Sequence, residues 1–171
     1  ASEGKTVVYV AVDEEVLGLI ALMDIPSEHA KATIEYFRKQ GIHTTLITGD
    51  SEMTGKAVAK QLGIDEVIAN VMPEDKSRII DEQKEKYGVT AMVGDGVNDA
   101  PALVNADVGI AMGDGTDVAV EVSDLVLMQN NLSKLVQSHN ISSKMNRVIW
   151  QNIIFSMAVV AFLIVVSFLG L

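Results

Sequence analysis

The sequence predicts an α/β fold, a parallel Rossmann-like sheet with flanking helices, followed by one C-terminal transmembrane helix. Three observations carry that expectation. Short β-branched apolar runs alternate with segments of helical period, the pattern of repeated βα units. Two of those runs end in acidic, glycine-bearing turns, Thr48-Gly49-Asp50 and Gly94-Asp95-Gly96. The last 23 residues, Ile149–Leu171, carry no charge at all. Within 171 residues, 49% are hydrophobic, which excludes a disordered chain, and the absence of cysteine excludes a disulfide scaffold or a thiolate metal site.

The elements follow in order. Thr6–Val12 and Val16–Met23 are apolar runs split by Asp13-Glu14-Glu15, a hairpin signal. Ser27–Gln40 has helical spacing, opened by Pro26-Ser27 and closed by Gly41. His43–Thr48 is a β-branched strand running into the first acidic turn. Ser51–Leu62 is a helix stopped by Gly63, and Glu66–Ala69 is a short strand. Pro73 opens a charged helix to Tyr87, ended by Gly88. Val89–Val93 is a strand running into the second acidic turn. Asn98–Asn105 is a short helix, Val108–Ala111 a strand, Thr116–Val122 a turn or helix, and Leu125–Leu127 a strand. With no Pro or Gly between Leu132 and Ile149, one helix is expected to continue from the body into the apolar tail.

Charge divides the chain. The formal net charge is −10, which argues against nucleic acid as a partner, because phosphate backbones are held by surplus Lys and Arg. Residues 139–171 hold two bases, Lys144 and Arg147, and no acid. The first 138 residues therefore carry eleven bases against twenty-three acids. A helix over Ile149–Leu171 covers roughly 34 Å, enough for a hydrocarbon core of about 30 Å. Lys144 and Arg147 before it and Trp150 at its border suit a membrane interface, and the positive-inside bias puts the acidic body in the cytoplasm. The lipid bilayer is thus an expected partner.

In open α/β sheets ligands bind beyond the carboxyl ends of the strands, which directs attention to the two acidic turns. Their glycines allow close backbone approach or positive φ. Carboxylates there are hard oxygen ligands suited to Mg²⁺, which takes one or two of them together with phosphate oxygens. The Thr48 hydroxyl and adjacent N–H groups suit a phosphoryl oxygen, and Lys76 is placed to offset its charge. A hydroxyl, a lysine and paired aspartates are what magnesium-dependent phosphoryl transfer needs. Individually these features are ordinary: a Thr-Gly-Asp turn is common, and a lone helix lysine is usually a solvated charge. Met92–Leu103, MVGDGVNDAPAL, is not ordinary, since so many acids, amides and glycines after a buried strand make poor folding signals.

That stretch, with TGD at Thr48–Asp50 and PEDK at Pro73–Lys76, closely resembles the phosphorylation domain of P-type cation-transporting ATPases, within the haloacid dehalogenase superfamily. Lys144–Asn152, KMNRVIWQN, followed at once by the span, is similar to the heavy-metal (P1B) branch. The resemblance implies a haloacid-dehalogenase-type sheet, incomplete at its N-terminal side. Residues 1–23 would be the closing hairpin of the nucleotide-binding domain, 24–138 the C-terminal part of the phosphorylation domain, and 139–171 a linker helix and transmembrane segment. It assigns Asp95 to Mg²⁺, and Thr48 and Gly49 to the transferred phosphoryl group. Lys76 would neutralise that group, with Asn98 and Asp99 completing the polar network. Asp99 would sit on the Mg²⁺ or one layer behind it, and Asp50 is counted among the catalytic residues. The activity implied is ATP-driven efflux of a divalent or monovalent metal ion through a phospho-aspartate, in a multi-pass protein of the cell membrane.

Several family features are missing from the sequence. No Asp-Lys-Thr-Gly-Thr string is present; Asp13 follows a strand, but Glu14, Glu15 and Val16 supply neither lysine nor threonines. His29 is followed by Ala30 rather than proline, and there is no Thr-Gly-Glu loop or Cys-Pro pair. The expectation is a piece of a pump, inactive alone, whose partner is the remainder of the polypeptide and whose ATP site lies mostly outside it. Ile149–Leu171 lacks the Tyr-Asn pair of copper pumps and the lysine of many zinc or cadmium pumps, a lean towards the iron, cobalt or zinc branch. Two alternatives stay open: a haloacid-dehalogenase-type Mg²⁺-dependent phosphatase, and a non-catalytic membrane-tethered module that binds Mg²⁺ and phosphate. His29, His43 and His139 lack ligand spacing, and Gly113–Gly115 reads as a sharp turn beside the site.

Overall fold

The computed structural model describes residues 6–13, 15–22, 26–95, 97–113, 117–129 and 131–169. The chain divides into two compact units, Ala1–Ser133 and Lys134–Leu171.

The first unit opens with β1 (Thr6–Val12) and β2 (Glu15–Leu22), an antiparallel hairpin with Val8 opposite Ile20 and an irregularity between Val10 and Ala11. Asp13 takes the left-handed conformation at its turn. The second strand begins at Glu15, one residue before the expected Val16, and Met23 lies outside the described residues. Both faces of this ribbon are open to solvent, with Tyr9 69% exposed on one and Ile20 51% exposed on the other.

The βα units come next. Helix α1 (Glu28–Lys39) buries Ala30 and Thr33. Strand β3 (Thr45–Ile47) leads to α2 (Glu52–Leu62), then β4 (Glu66–Ile68), which pairs parallel to β3 with Leu46 opposite Val67. Ser51 caps α2 by accepting the Thr54 N–H at 3.2 Å, and Gly63 ends it at φ 78°, where a side chain would be strained. The single helix expected from Pro73 begins instead as a 3₁₀ turn, Pro73–Asp75, before α3 (Lys76–Tyr87). A proline at the first position fixes φ for either helix type and leaves the tighter turn accessible.

Strand β5 (Ala91–Gly94), a 3₁₀ turn (Val97–Asp99), α4 (Ala100–Asn105), β6 (Val108–Met112), α5 (Asp117–Val122) and β7 (Leu125–Leu127) complete the unit. β5, β6 and β7 form a parallel sheet. Leu103, Ala111 and Ala119 make its core, with Met92, Val122 and Val126 packed against them. α3 lies against α4, and α4 against β5 and β6.

The expected parallel strands with flanking helices are present, and they fall into two ladders. Among the described residues β3–β4 and β5–β6–β7 are separate ladders, so β3 and β5 each pair along one edge only.

The second unit is helical. Helix α6 runs unbroken over Ser133–Leu169, 37 residues with none buried. It is long and apolar enough to cross a membrane.

Candidate functional site

Both acidic turns sit at the carboxyl ends of parallel strands. At the end of β3, Thr48 still follows the ladder, its N–H donating to the Ile68 carbonyl at 3.0 Å. Its own carbonyl accepts from Val71 N–H at 3.0 Å, and Asp50 carbonyl accepts from Asn70 N–H at 2.8 Å. The Thr48 hydroxyl turns back within the loop, donating to Asp50 Oδ2 and accepting from the Asp50 N–H, both at 3.1 Å. Asp50 thus orients Thr48, and a phosphoryl oxygen would have to replace it as the acceptor. Gly49 has ordinary space around it: a Cβ would meet the Val71 carbonyl at 3.4 Å.

At the end of β5, Asp95 is exposed, and its carboxylate has no hydrogen-bond or ion-pair partner among the described residues. Its N–H points at Asp99 Oδ2 from 3.4 Å. Asp99 is 8% exposed, and its other oxygen holds Lys76 Nζ at 2.5 Å. An ammonium and a carboxylate this deep are tolerable only when paired, so each fixes the other. The pair joins the start of α3 to the turn that opens α4, and the Pro73–Asp75 turn packs on the Val97–Asp99 turn. Asn98 is exposed beside them, and Gly96 lies outside the described residues.

Lys76, Asp95 and Asp99 are therefore in one cluster. Thr48, Gly49 and Asp50 reach it through Val71, two residues ahead of Pro73; no hydrogen bond joins Thr48 to Asp95 directly among the described residues. One accessible, unengaged carboxylate at a strand end fits Mg²⁺, which needs few protein ligands and completes its shell with water and phosphate. Asp99, with both oxygens already facing Lys76 and the Asp95 N–H, suits a place behind the metal. Gly113 closes β6 with no room for a Cβ, which would fall 2.3 Å from the Leu127 carbonyl, while Asp114 and Gly115 lie outside the described residues.

Sequence reasoning missed a second polar cluster, at the opposite ends of β3 and β4. The His43 ring stacks on Tyr87 at 4.0 Å. Glu66 meets His43 Nε2 at 3.3 Å, the Lys86 ammonium at 2.8 Å and the Tyr87 hydroxyl at 3.1 Å. The Lys86 hydrogen bond, against the opposing pull of burial, holds the Glu66 carboxyl below its usual range, with Tyr87 and His43 assisting. Asp65 is lowered first by the Thr44 hydroxyl. The partners are spread over positions 43 to 87, a separation that no local spacing reveals.

Residues 1–107 match the family of haloacid dehalogenase-like hydrolases. The chain is similar to the zinc-transporting ATPase of Bacillus subtilis, 51% identical over 97% of this chain and 26% of that protein. It is 44% identical to a copper-exporting P-type ATPase of Staphylococcus haemolyticus over 91% of this chain and 20% of the relative. Among solved structures, a zinc-transporting PIB-type ATPase in the E2.Pi state superposes with a TM-score of 0.89 at 39% identity, covering 99% of this chain and 28% of that one. The chain thus spans about a quarter or less of the length of the curated relatives it matches.

Proposed function

The chain belongs to the haloacid dehalogenase-like hydrolase family, and from that premise we propose that it is part of an ATP-driven heavy-metal efflux pump of the P-type. In this reading residues 1–23 close the nucleotide-binding domain, 24–138 form the C-terminal part of the phosphorylation domain, and 139–171 link it to the membrane. The body lies on the cytoplasmic side and α6 crosses the bilayer. The remainder of the pump polypeptide and a transported metal ion are its partners.

The observation that carries the reading is the convergence of Lys76, Asp95 and Asp99 at a strand end, on a chain that also has a membrane-length apolar helix. Asp95 would hold Mg²⁺, which would supply positive charge to the phosphoryl group. The Thr48 hydroxyl and Gly49 N–H bind a phosphoryl oxygen, with Asp50 setting the hydroxyl's direction. Lys76 contributes positive charge to the same anion while Asp99 keeps it in place. Asn98, exposed on the same loop, donates an amide hydrogen bond. The nucleophile is supplied by pump sequence other than this chain. β3 and β5, each paired on one edge, are what a sheet lacking an inner strand would leave. A free-standing phosphatase would use the same loops but has no use for α6.

Orthovanadate, a phosphate mimic, tests the site. The chain should bind it in a Mg²⁺-dependent manner, and Asp95→Asn should abolish that dependence. Unchanged binding in the variant removes Asp95 from its role.

A further inference from the structure

Helix α6 carries three cations, Lys134, Lys144 and Arg147, and the last two lie next to the uncharged span. Lys144 and Arg147 are exposed and make no hydrogen bond or ion pair among the described residues. No acid occurs from Leu125 to the end of the chain, so the helix itself offers no counter-ion. At 3.6 residues per turn, Lys144, Arg147 and Gln151 share a face. Apolar side chains border it: Val148, four residues beyond Lys144 and 52% exposed, and Trp150, three beyond Arg147 and 58% exposed. The two charges are about 4.5 Å apart along the axis, within a headgroup layer of roughly 5–7 Å. The uncharged span begins two residues after Arg147.

We propose that Lys144 and Arg147 form a site for the phosphate of an anionic phospholipid headgroup, where α6 enters the bilayer. Arg147 offers a planar fork matched to phosphate oxygens, and Lys144 a point charge on a flexible apolar stem. Val148 and Trp150 supply apolar contact for the upper acyl chain. This goes beyond orientation by charge, because it selects among lipids. It rests on the membrane-spanning reading of α6 given above.

Trp150 is the single tryptophan of the chain and lies at the site, so it reports directly. The chain is reconstituted in phosphatidylcholine vesicles containing phosphatidylglycerol. In one set the phosphatidylglycerol carries bromine; in the other an equal amount of phosphatidylcholine does. Bromine on phosphatidylglycerol should quench Trp150 several-fold more strongly than bromine on phosphatidylcholine, since two cations at an anionic surface enrich that lipid by about tenfold or more. In the Lys144→Gln/Arg147→Gln variant, with helicity verified by circular dichroism, the two lipids should quench equally. Equal quenching in the unmodified chain overturns the lipid site while leaving the span intact, and persistence of the excess in the variant overturns these residues as its basis. Absence of quenching by either lipid overturns the span and the site together.

Discussion

Asp99 leaves no room for a side chain at Gly94, where a Cβ would fall 2.7 Å from Asp99 Cβ and 2.9 Å from Oδ2. Gly94 is thus required by its neighbour rather than by its own backbone angle, since it is not among the positive-φ glycines. Gly94→Ala should push Asp99 aside, free Lys76 and lower stability by about 1–3 kcal/mol, the usual cost of overpacking, read as a shift in urea midpoint. Vanadate binding should weaken with it. Asp95→Asn is the contrasting case. Its carboxylate is exposed and engages nothing, so stability should stay within about 0.5 kcal/mol while Mg²⁺-dependent binding is lost. The comparison separates a residue that builds the site from one that serves it. The motifs holding these residues are legible in the sequence, but the 2.5 Å bond between Lys76 and Asp99, 23 positions apart, is not.

Helix α3 is tied at both ends: Lys76 to Asp99 at its start, Lys86 and Tyr87 to Glu66 at its finish. The Glu66 carboxyl is lowered in the folded state, so its contribution to stability is complete above the ordinary value of 4.5 and disappears as pH falls through the depressed one. Glu66→Gln should therefore be less stable at neutral pH and lose less on acidification below that value, measured by urea unfolding across a pH series. Helix ends were legible from local chemistry: Ser51 caps α2, Gly63 and Gly88 stop α2 and α3, and Pro73 marks the turn ahead of α3. Strand ends were less so. His43–Thr48 contracts to Thr45–Ile47 because His43 and Thr44 engage Asp65 and Glu66, and Thr48 turns into its loop. Which strands pair is set by contacts distant in sequence, so the division into two parallel ladders left no trace in periodicity.

For the molecule as a whole, the proposed pump role predicts chemical silence in isolation. No Asp-Lys-Thr-Gly-Thr string is present, so incubation with labelled ATP and Mg²⁺ should yield no acid-stable acyl-phosphate. A labelled band would place a nucleophile within these residues and reverse the assignment. The charge division, acids in the first 138 residues and bases alone after them, matches a chain that meets water at one end and lipid at the other. Helix α6 runs without a Pro or Gly from Ser133 to Leu169, a length of about 55 Å. A rod with no joint has little capacity to absorb torsion along its length. A twist applied near Ser133 would therefore reach Leu169 largely undiminished, as along a driveshaft rather than a tether.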